Sequence, residues 1–254
     1  MQLVQPTVLV HDDVTAAGVA AADEAAATLQ AAIASRGSAR ALFASAPSQL
    51  AMLTSLRGHD IDWSAVEVFH IDEYVGLAAG DPRGFGQWLC DHLFDQVRPF
   101  TVNLLDSSAT TPETEATRYA GLLGDGEIDL ACIGIGINGH IAFNEPYQWE
   151  IEDERLVAPV KLQEASRQQQ VDDQCFATIE EVPTHAISIT VPGLLRARHL
   201  TVTVTGGHKQ AAVAAALMPG LNPACPASAL QAHPSVVLHL DPTADPAAIS
   251  MGAI

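Results

Sequence analysis

Three places in this 254-residue chain hold side chains that could move protons or grip an anion. In "GIGINGHIAFNEP", Gly134 to Pro146, His140 stands five positions before Glu145, with Asn138 and Asn144 on either side. A carboxylate can orient and charge an imidazole, and a titrating imidazole suits proton transfer near neutral pH. In "VFHIDEYVGL", Asp72 and Glu73 follow directly on an apolar run. Two acids at one strand end are unusual; the alternatives are helix capping or loop solvation. The third place is set by charge. With 12 Lys and Arg against 30 Asp and Glu, net charge -18, any anionic substrate needs cations gathered at its site. Lys209 in "GGHKQAAV" and Arg167 in "SRQQQV" are the cations that sit inside motifs.

These residues are far apart in the chain, so the elements between them must collect strand ends. An Ala-rich helix is expected from Asp13 to Arg36, with Asp at its start and Gly37 just past its end. A strand at Arg40 to Ala44 follows, then a helix from Gln49 to Leu56 and a strand in "AVEVFHI". The alternation continues with a helix near Gly86 to Val97, a strand at Val102 to Leu105, a helix near Pro112 to Leu123 and the strand "IDLACIGI". Later strands are expected at Ala186 to Val191, Leu200 to Thr205 and Val236 to Leu240, with a helix at Lys209 to Met218. Strands alternating with helices imply right-handed crossovers. The expected fold is therefore α/β and Rossmann-like: a doubly wound, mostly parallel sheet with helices on both faces. With no internal repeat and no low-complexity linker, residues 1–254 are expected to form one domain. Ligands of such sheets bind beyond the strands' carboxyl ends.

Gly134, Gly136 and Gly139 satisfy G-x-G-x-x-G directly after an apolar run. A dinucleotide-binding turn needs a long helix after its third glycine, so that the helix N-terminus faces the pyrophosphate. Here "HIAFNEP" follows, and Pro146 blocks a helix running on from Ala142. The stretch reads instead as a catalytic loop at the ligand-binding edge of the sheet.

Composition removes other classes. The charge of -18 argues against nucleic acid or an acidic membrane as partner, since both draw affinity from clustered Lys and Arg. Cys90, Cys132, Cys175 and Cys225 are widely spaced, without a C-x-x-C pair or metal-like Cys/His spacing. No metal or cofactor is expected. Thiols in a reducing compartment, no basic leader before an apolar run and no membrane-length apolar window give the expectation of a cytoplasmic protein.

Together "HIDEYVGL" and "GIGINGHIAFNEP" resemble the glucosamine-6-phosphate deaminase/isomerase family, which shares a fold superfamily with the 6-phosphogluconolactonases. The resemblance runs from the first helix to about His233, because "SRQQQV", "GGHKQAAV" and "CPASALQAH" fall in the family's order and spacing. Lactonases resemble a D-E-R strand end and a G-x-D-G-H-x-A-S-L-F loop, so "DEY" and "AFNEP" favour the deaminase side. The resemblance implies aldose–ketose isomerisation of an amino sugar 6-phosphate, with water replacing nitrogen and ammonia leaving. It gives His140 the opening of the pyranose ring, Glu145 the orientation of that imidazole, and Asp72 the transfer of a proton between C2 and C1. Lys209 and Arg167 match phosphate ligands, and Glu73 and Gly139, inside the matched motifs, are taken as substrate-contacting positions. The implied partner is a small amino sugar phosphate; homo-oligomer formation stays open.

Two departures stand out. Asn138 occupies a slot where the family usually has Asp, which predicts a His140 that titrates lower than in an Asp-bearing relative. At Ala44 to Gln49, "ASAPSQ" replaces the family's Gly-rich loop, whose backbone N–H groups cradle phosphate. Ser45, Ser48 and Gln49 are the side chains left to offer donors. The first expectation is glucosamine 6-phosphate. Galactosamine 6-phosphate, a related sugar without a conventional phosphate, and a sensor that binds without turnover are the alternatives.

Overall fold

The computed structural model describes residues 2–247. Its strands are β1 (Thr7–Val10), β2 (Ala39–Phe43), β3 (Val66–His70), β4 (Asp72–Tyr74), β5 (Thr101–Asn103), β6 (Ile128–Ile133), β7 (Val157–Lys161), β8 (His185–Ile189), β9 (Ala197–Val204) and β10 (Val236–Leu240). The α-helices are α1 (Val14–Arg36), α2 (Leu50–Leu56), α3 (Phe85–Leu89), α4 (Asp95–Val97), α5 (Pro112–Gly124), α6 (Glu164–Asp172), α7 (Val191–Leu194) and α8 (Gln210–Leu217). Between α3 and α4 the chain winds one π-helical stretch, Cys90–Phe94.

Seven strands form one sheet in the order β1-β10-β9-β6-β2-β3-β5. Every pairing in it is parallel. Side chains alternate between its faces as the strand period of two demands. Leu42, Phe69, Ala131 and Ile133 face a core with α5 and α8, whereas Ala41, Phe43, Val68, Leu130 and Cys132 face a core with α1 and α2. The helices thus cover both faces. The Ala content of α1 has a packing reason as well as a propensity one. A Cβ at Gly18 would lie 2.5 Å from Ala51 Cβ, so α1 and α2 approach at a distance only small residues allow. Asp13 caps α1 by accepting Ala16 N–H, and Gly37 at φ 80° closes it.

Strand order reverses between β2 and β6: later strands add outward from β2 through β3 to β5, and outward from β6 through β9 to β10. Such a switch point leaves a crevice beyond the carboxyl ends of the strands.

One expectation about placement needs correction. The strand expected at Ala186 to Val191 lies outside the parallel sheet. As β8 it is the centre of a separate antiparallel sheet, β4-β8-β7. Neither β4 nor β7 was expected as a strand, because three residues of β4 and a proline in β7 carry almost no strand signal. This small sheet joins the large one at Ile71, whose N–H donates to Phe43 O and whose carbonyl accepts from Ile189.

Candidate active site

The crevice at the switch point is a small cleft of about 60 Å³ that is open to solvent. Ser45, Ser48 and Gln49 reach it from the turn after β2, Asp72 from β4, Gly134, Gly136 and His140 from the loop after β6, and Lys209 from the turn after β9. Residues up to 165 positions apart in the chain, from Ala44 to Lys209, meet here because four strands end side by side.

The three glycines of the loop each have a steric reason unrelated to a nucleotide. A Cβ on Gly134 would come within 3.0 Å of the Gln49 amide. On Gly136 it would stand 2.1 Å from the His140 ring, which lies across that position. Gly139 takes φ 84° and packs against Cys225, so it shapes the turn and does not line the cleft. No helix follows; Ile141 and Asn144 form a single antiparallel bridge instead. Asn144 is structural: its amide donates to Ile141 O and Ile189 O and accepts Val191 N–H, tying the loop to β8 and α7. Ala142, between them, holds φ 47°, a left-handed conformation unusual for alanine.

Behind His140 lies a saturated polar network. Asn138 Oδ1 is 2.7 Å from His140 Nδ1 and accepts the His140 N–H at 3.1 Å. Asn138 Nδ2 donates to Glu145 Oε2 at 3.0 Å, and Gln163 N–H donates to Glu145 Oε1 at 3.1 Å. Ser166 Oγ completes the set, 2.8 Å from Glu145 Oε2 and 3.1 Å from His140 Nδ1. Burial, and after it the positive charge of Lys209, lowers the His140 pKa to about 3, so the imidazole is neutral across the physiological range.

Asp72 is buried, and burial followed by the nearby Glu73 carboxylate raises its pKa well above the ordinary value. Burial also lowers Lys209 to about 8, against a smaller opposing pull from Asp173. Lys209 takes part in none of the ion pairs formed among the described residues. An almost enclosed ammonium without a carboxylate partner is a ready anion site.

Besides Gly139, two expected cleft residues lie elsewhere. Glu73 is buried, but its carboxylate accepts N–H groups from Tyr74, Phe85 and Gly86 and so shapes the start of α3. It sits one residue from Asp72 on a strand, where neighbours face opposite ways. Arg167 on α6 donates to the carbonyls of Ile179 and Val182 and is absent from the cleft lining. Ser45 does line the cleft, with its hydroxyl donated to Phe85 O at 2.9 Å.

Sequence reasoning missed Ser166, Gln169 and Gln170. All three are buried on α6, and both glutamines line the cleft. Their spacing, i, i+3 and i+4, is a polar stripe on one helix face, a signal that attention to Arg167 alone passes over.

Comparisons with known proteins identify the family. Residues 12–238 match the family model described as glucosamine-6-phosphate isomerases/6-phosphogluconolactonase. The chain belongs to that family. A glucosamine-6-phosphate deaminase of Listeria innocua is 36% identical over 183 residues, 72% of this chain and 76% of the relative. One of Lysinibacillus sphaericus is 37% identical over 72% of this chain and 80% of its own length. Among solved structures, a monomeric glucosamine-6-phosphate deaminase superposes with a TM-score of 0.86 at 25% identity, covering 94% of this chain and 98% of its own. A 6-phosphogluconolactonase of Shewanella baltica shares the fold at a TM-score of 0.76 and 18% identity, covering 95% and 99% of the two chains. Within the family, the sequence relatives stand on the deaminase side, and the doubly wound parallel sheet is the family's architecture.

Proposed function

We propose that this family member is a deaminating aldose–ketose isomerase that converts an amino sugar 6-phosphate, glucosamine 6-phosphate foremost, to the ketose 6-phosphate and ammonia. The observation that carries the reading is one cleft lined by a buried carboxylate, Asp72, a neutral imidazole backed by Glu145, and an unpaired ammonium, Lys209.

The chemistry follows from those three groups. His140 takes the proton from the anomeric hydroxyl and returns one to the ring oxygen, which opens the pyranose. Asp72 then removes the proton from C2, made acidic by the C1 aldehyde, leaving an enolamine. The same carboxylate delivers a proton to C1, which moves the double bond to C2=N. Water adds at C2, and ammonia leaves as the ketone forms. One buried base serves both carbons because they are adjacent and the carboxylate need not cross the site. Burial gives Asp72 the proton affinity this needs, and Lys209 holds the phosphate at the other end of the open chain. The reading includes a cytoplasmic protein acting through one domain; its four unbridged cysteines support the compartment.

Glucosamine 6-phosphate, galactosamine 6-phosphate and 6-phosphogluconolactone, offered in parallel, test this reading. Ammonia and ketose 6-phosphate should appear in equal amounts from an amino sugar phosphate, and the epimer that reacts names the substrate. Lactone hydrolysis without ammonia from either amino sugar would overturn it.

A further inference from the structure

The helix α6 turns a polar stripe toward the catalytic loop: its buried residues are Ser166, Gln169 and Gln170. Gln169 Oε1 accepts the Ile137 N–H at 3.1 Å. Ser166 Oγ lies within hydrogen-bonding reach of Glu145 Oε2 at 2.8 Å, His140 Nδ1 at 3.1 Å and Asn138 Nδ2 at 3.3 Å.

The hydrogens in this set can be placed by donor and acceptor capacity. Ser166, Asn138 and the Gln163 backbone all direct donors at Glu145, which as a carboxylate only accepts. The single hydroxyl hydrogen of Ser166 therefore points at Glu145 Oε2, and its oxygen retains only lone pairs. One faces the second hydrogen on Asn138 Nδ2; the other faces His140 Nδ1. With Nδ2 turned toward Glu145, the Asn138 oxygen is also turned toward that same Nδ1, at 2.7 Å. Both neighbours of Nδ1 are acceptors, so Nδ1 carries the hydrogen. Nε2, which has no hydrogen-bond partner among the described residues, is then the basic nitrogen.

We propose that Ser166 is a positioning residue that, together with Asn138, fixes the tautomer of His140 and so keeps Nε2 as the base. Without the serine oxygen, one Asn138 Nδ2 hydrogen has no acceptor and Glu145 loses a donor. Nδ1 then keeps Asn138 Oδ1 as its one acceptor in this set, and the preference for the hydrogen at Nδ1 over Nε2 weakens. The other ionisable groups around the ring are Asp72 and Lys209 in the cleft and Cys225 beneath Gly139; none of them contacts Nδ1 within hydrogen-bonding distance.

The proposal rests on the ring-opening role of His140 for its kinetic consequence, but the tautomer can be read in the resting protein. Nitrogen NMR of ring-labelled histidine should show His140 protonated at Nδ1 in wild type and a mixture of tautomers in Ser166→Ala. In the same variant kcat should fall about tenfold or more with KM changed less than about twofold, as expected for partial loss of a proton-transfer group. Ser166→Thr, which keeps the hydroxyl, should restore the wild-type tautomer and most of the rate. A wild-type ring protonated at Nε2, or Ser166→Ala with an unchanged tautomer whatever its rate, overturns the proposal. So does a changed tautomer with an unchanged rate in an enzyme that releases ammonia. A wild type that releases no ammonia defeats the functional reading alone and leaves the tautomer measurement decisive for Ser166.

Discussion

The loop after β6 and the turn after β2 end side by side at the same cleft, yet they are finished to different degrees. Around His140 every polar group of the Asn138, Glu145 and Ser166 set has a partner in the protein. Around Gln49 the opposite holds. Its Nε2 donates to Thr203 O at 3.1 Å, but among the described residues its buried Oε1 has no partner and Lys209 beside it forms no ion pair. A buried polar group left unpaired costs about 1–3 kcal/mol, so the anion-facing side of the cleft carries an unmet demand that the proton-transfer side does not. The difference teaches a division of labour. Proton-transfer groups need a fixed geometry before the substrate arrives, whereas this side is left for the substrate to complete, with an anion for Lys209 and a donor such as a hydroxyl for Gln49 Oε1.

Removing the central base breaks the comparison most severely. Asp72→Asn should lower kcat by about two to four orders of magnitude while the affinity for the sugar phosphate changes only a few-fold, measured by ammonia release and calorimetric titration. The largest effect on the unfinished side should come from Lys209→Ala. Loss of a charge-assisted contact of about 1.5–3 kcal/mol raises KM by roughly one to two orders of magnitude and leaves kcat nearly intact. The two substitutions should thus separate into rate and affinity.

The pH dependence sharpens the same contrast. Lys209 must be protonated to hold phosphate, and its pKa stands at about 8, so KM should rise as pH climbs through that value. Asp72 must be ionised to act, so kcat/KM should fall on the acid side through its raised pKa. His140, near 3, should contribute to neither limb above pH 5. A flat KM from pH 7 to 9.5 would remove Lys209 from the phosphate site. Asn138→Asp tests the saturated side: it adds a negative charge next to Nδ1 and removes a donor to Glu145. The His140 pKa should rise by about one unit, visible by NMR titration.

The smallest effect lies away from the cleft. Burial works to raise the pKa of Glu24 on α1, but hydrogen bonds from His199 and His239 outweigh it and hold the group at about 2. A depressed carboxylate stabilises the fold above its unfolded value and loses that contribution as pH falls. Stability should therefore decline from about pH 4.5 toward 2, and Glu24→Gln should flatten that decline at a cost of about 1 kcal/mol at neutral pH, once solvent screening of this half-exposed group is counted, without changing the cleft.

How much of this was legible in the sequence depends on whether a signal was local. The helix Val14–Arg36 and the strand Val236–Leu240 declare themselves by cap and pattern, and both fall where expected. The large parallel sheet follows from strands alternating with helices. The small antiparallel sheet does not, because its pairing of Asp72 with Ser188 and of Ala158 with Ser188 is set by contacts more than a hundred or about thirty positions away. The three-residue strand at Asp72 was legible as a chemical site before it was legible as a strand. His140, Glu145 and Asn138 were found because motif and network coincide in one loop. Ser166 was not, since it meets that loop only through the tertiary packing of α6, 21 to 28 positions further along the chain. Arg167 and Glu73 show the converse: residues inside a recognisable motif whose side chains bond to nearby backbone.

The most direct test follows one hydrogen. Glucosamine 6-phosphate carrying deuterium at C2 should yield ketose 6-phosphate with part of that deuterium at C1, because Asp72, 5% exposed, exchanges slowly with water while it carries the proton between the two carbons. Asp72→Asn should abolish both product and transfer. Ammonia released at the normal rate by Asp72→Asn, or product from wild type whose C1 hydrogen comes wholly from solvent, would contradict a single buried base serving both carbons.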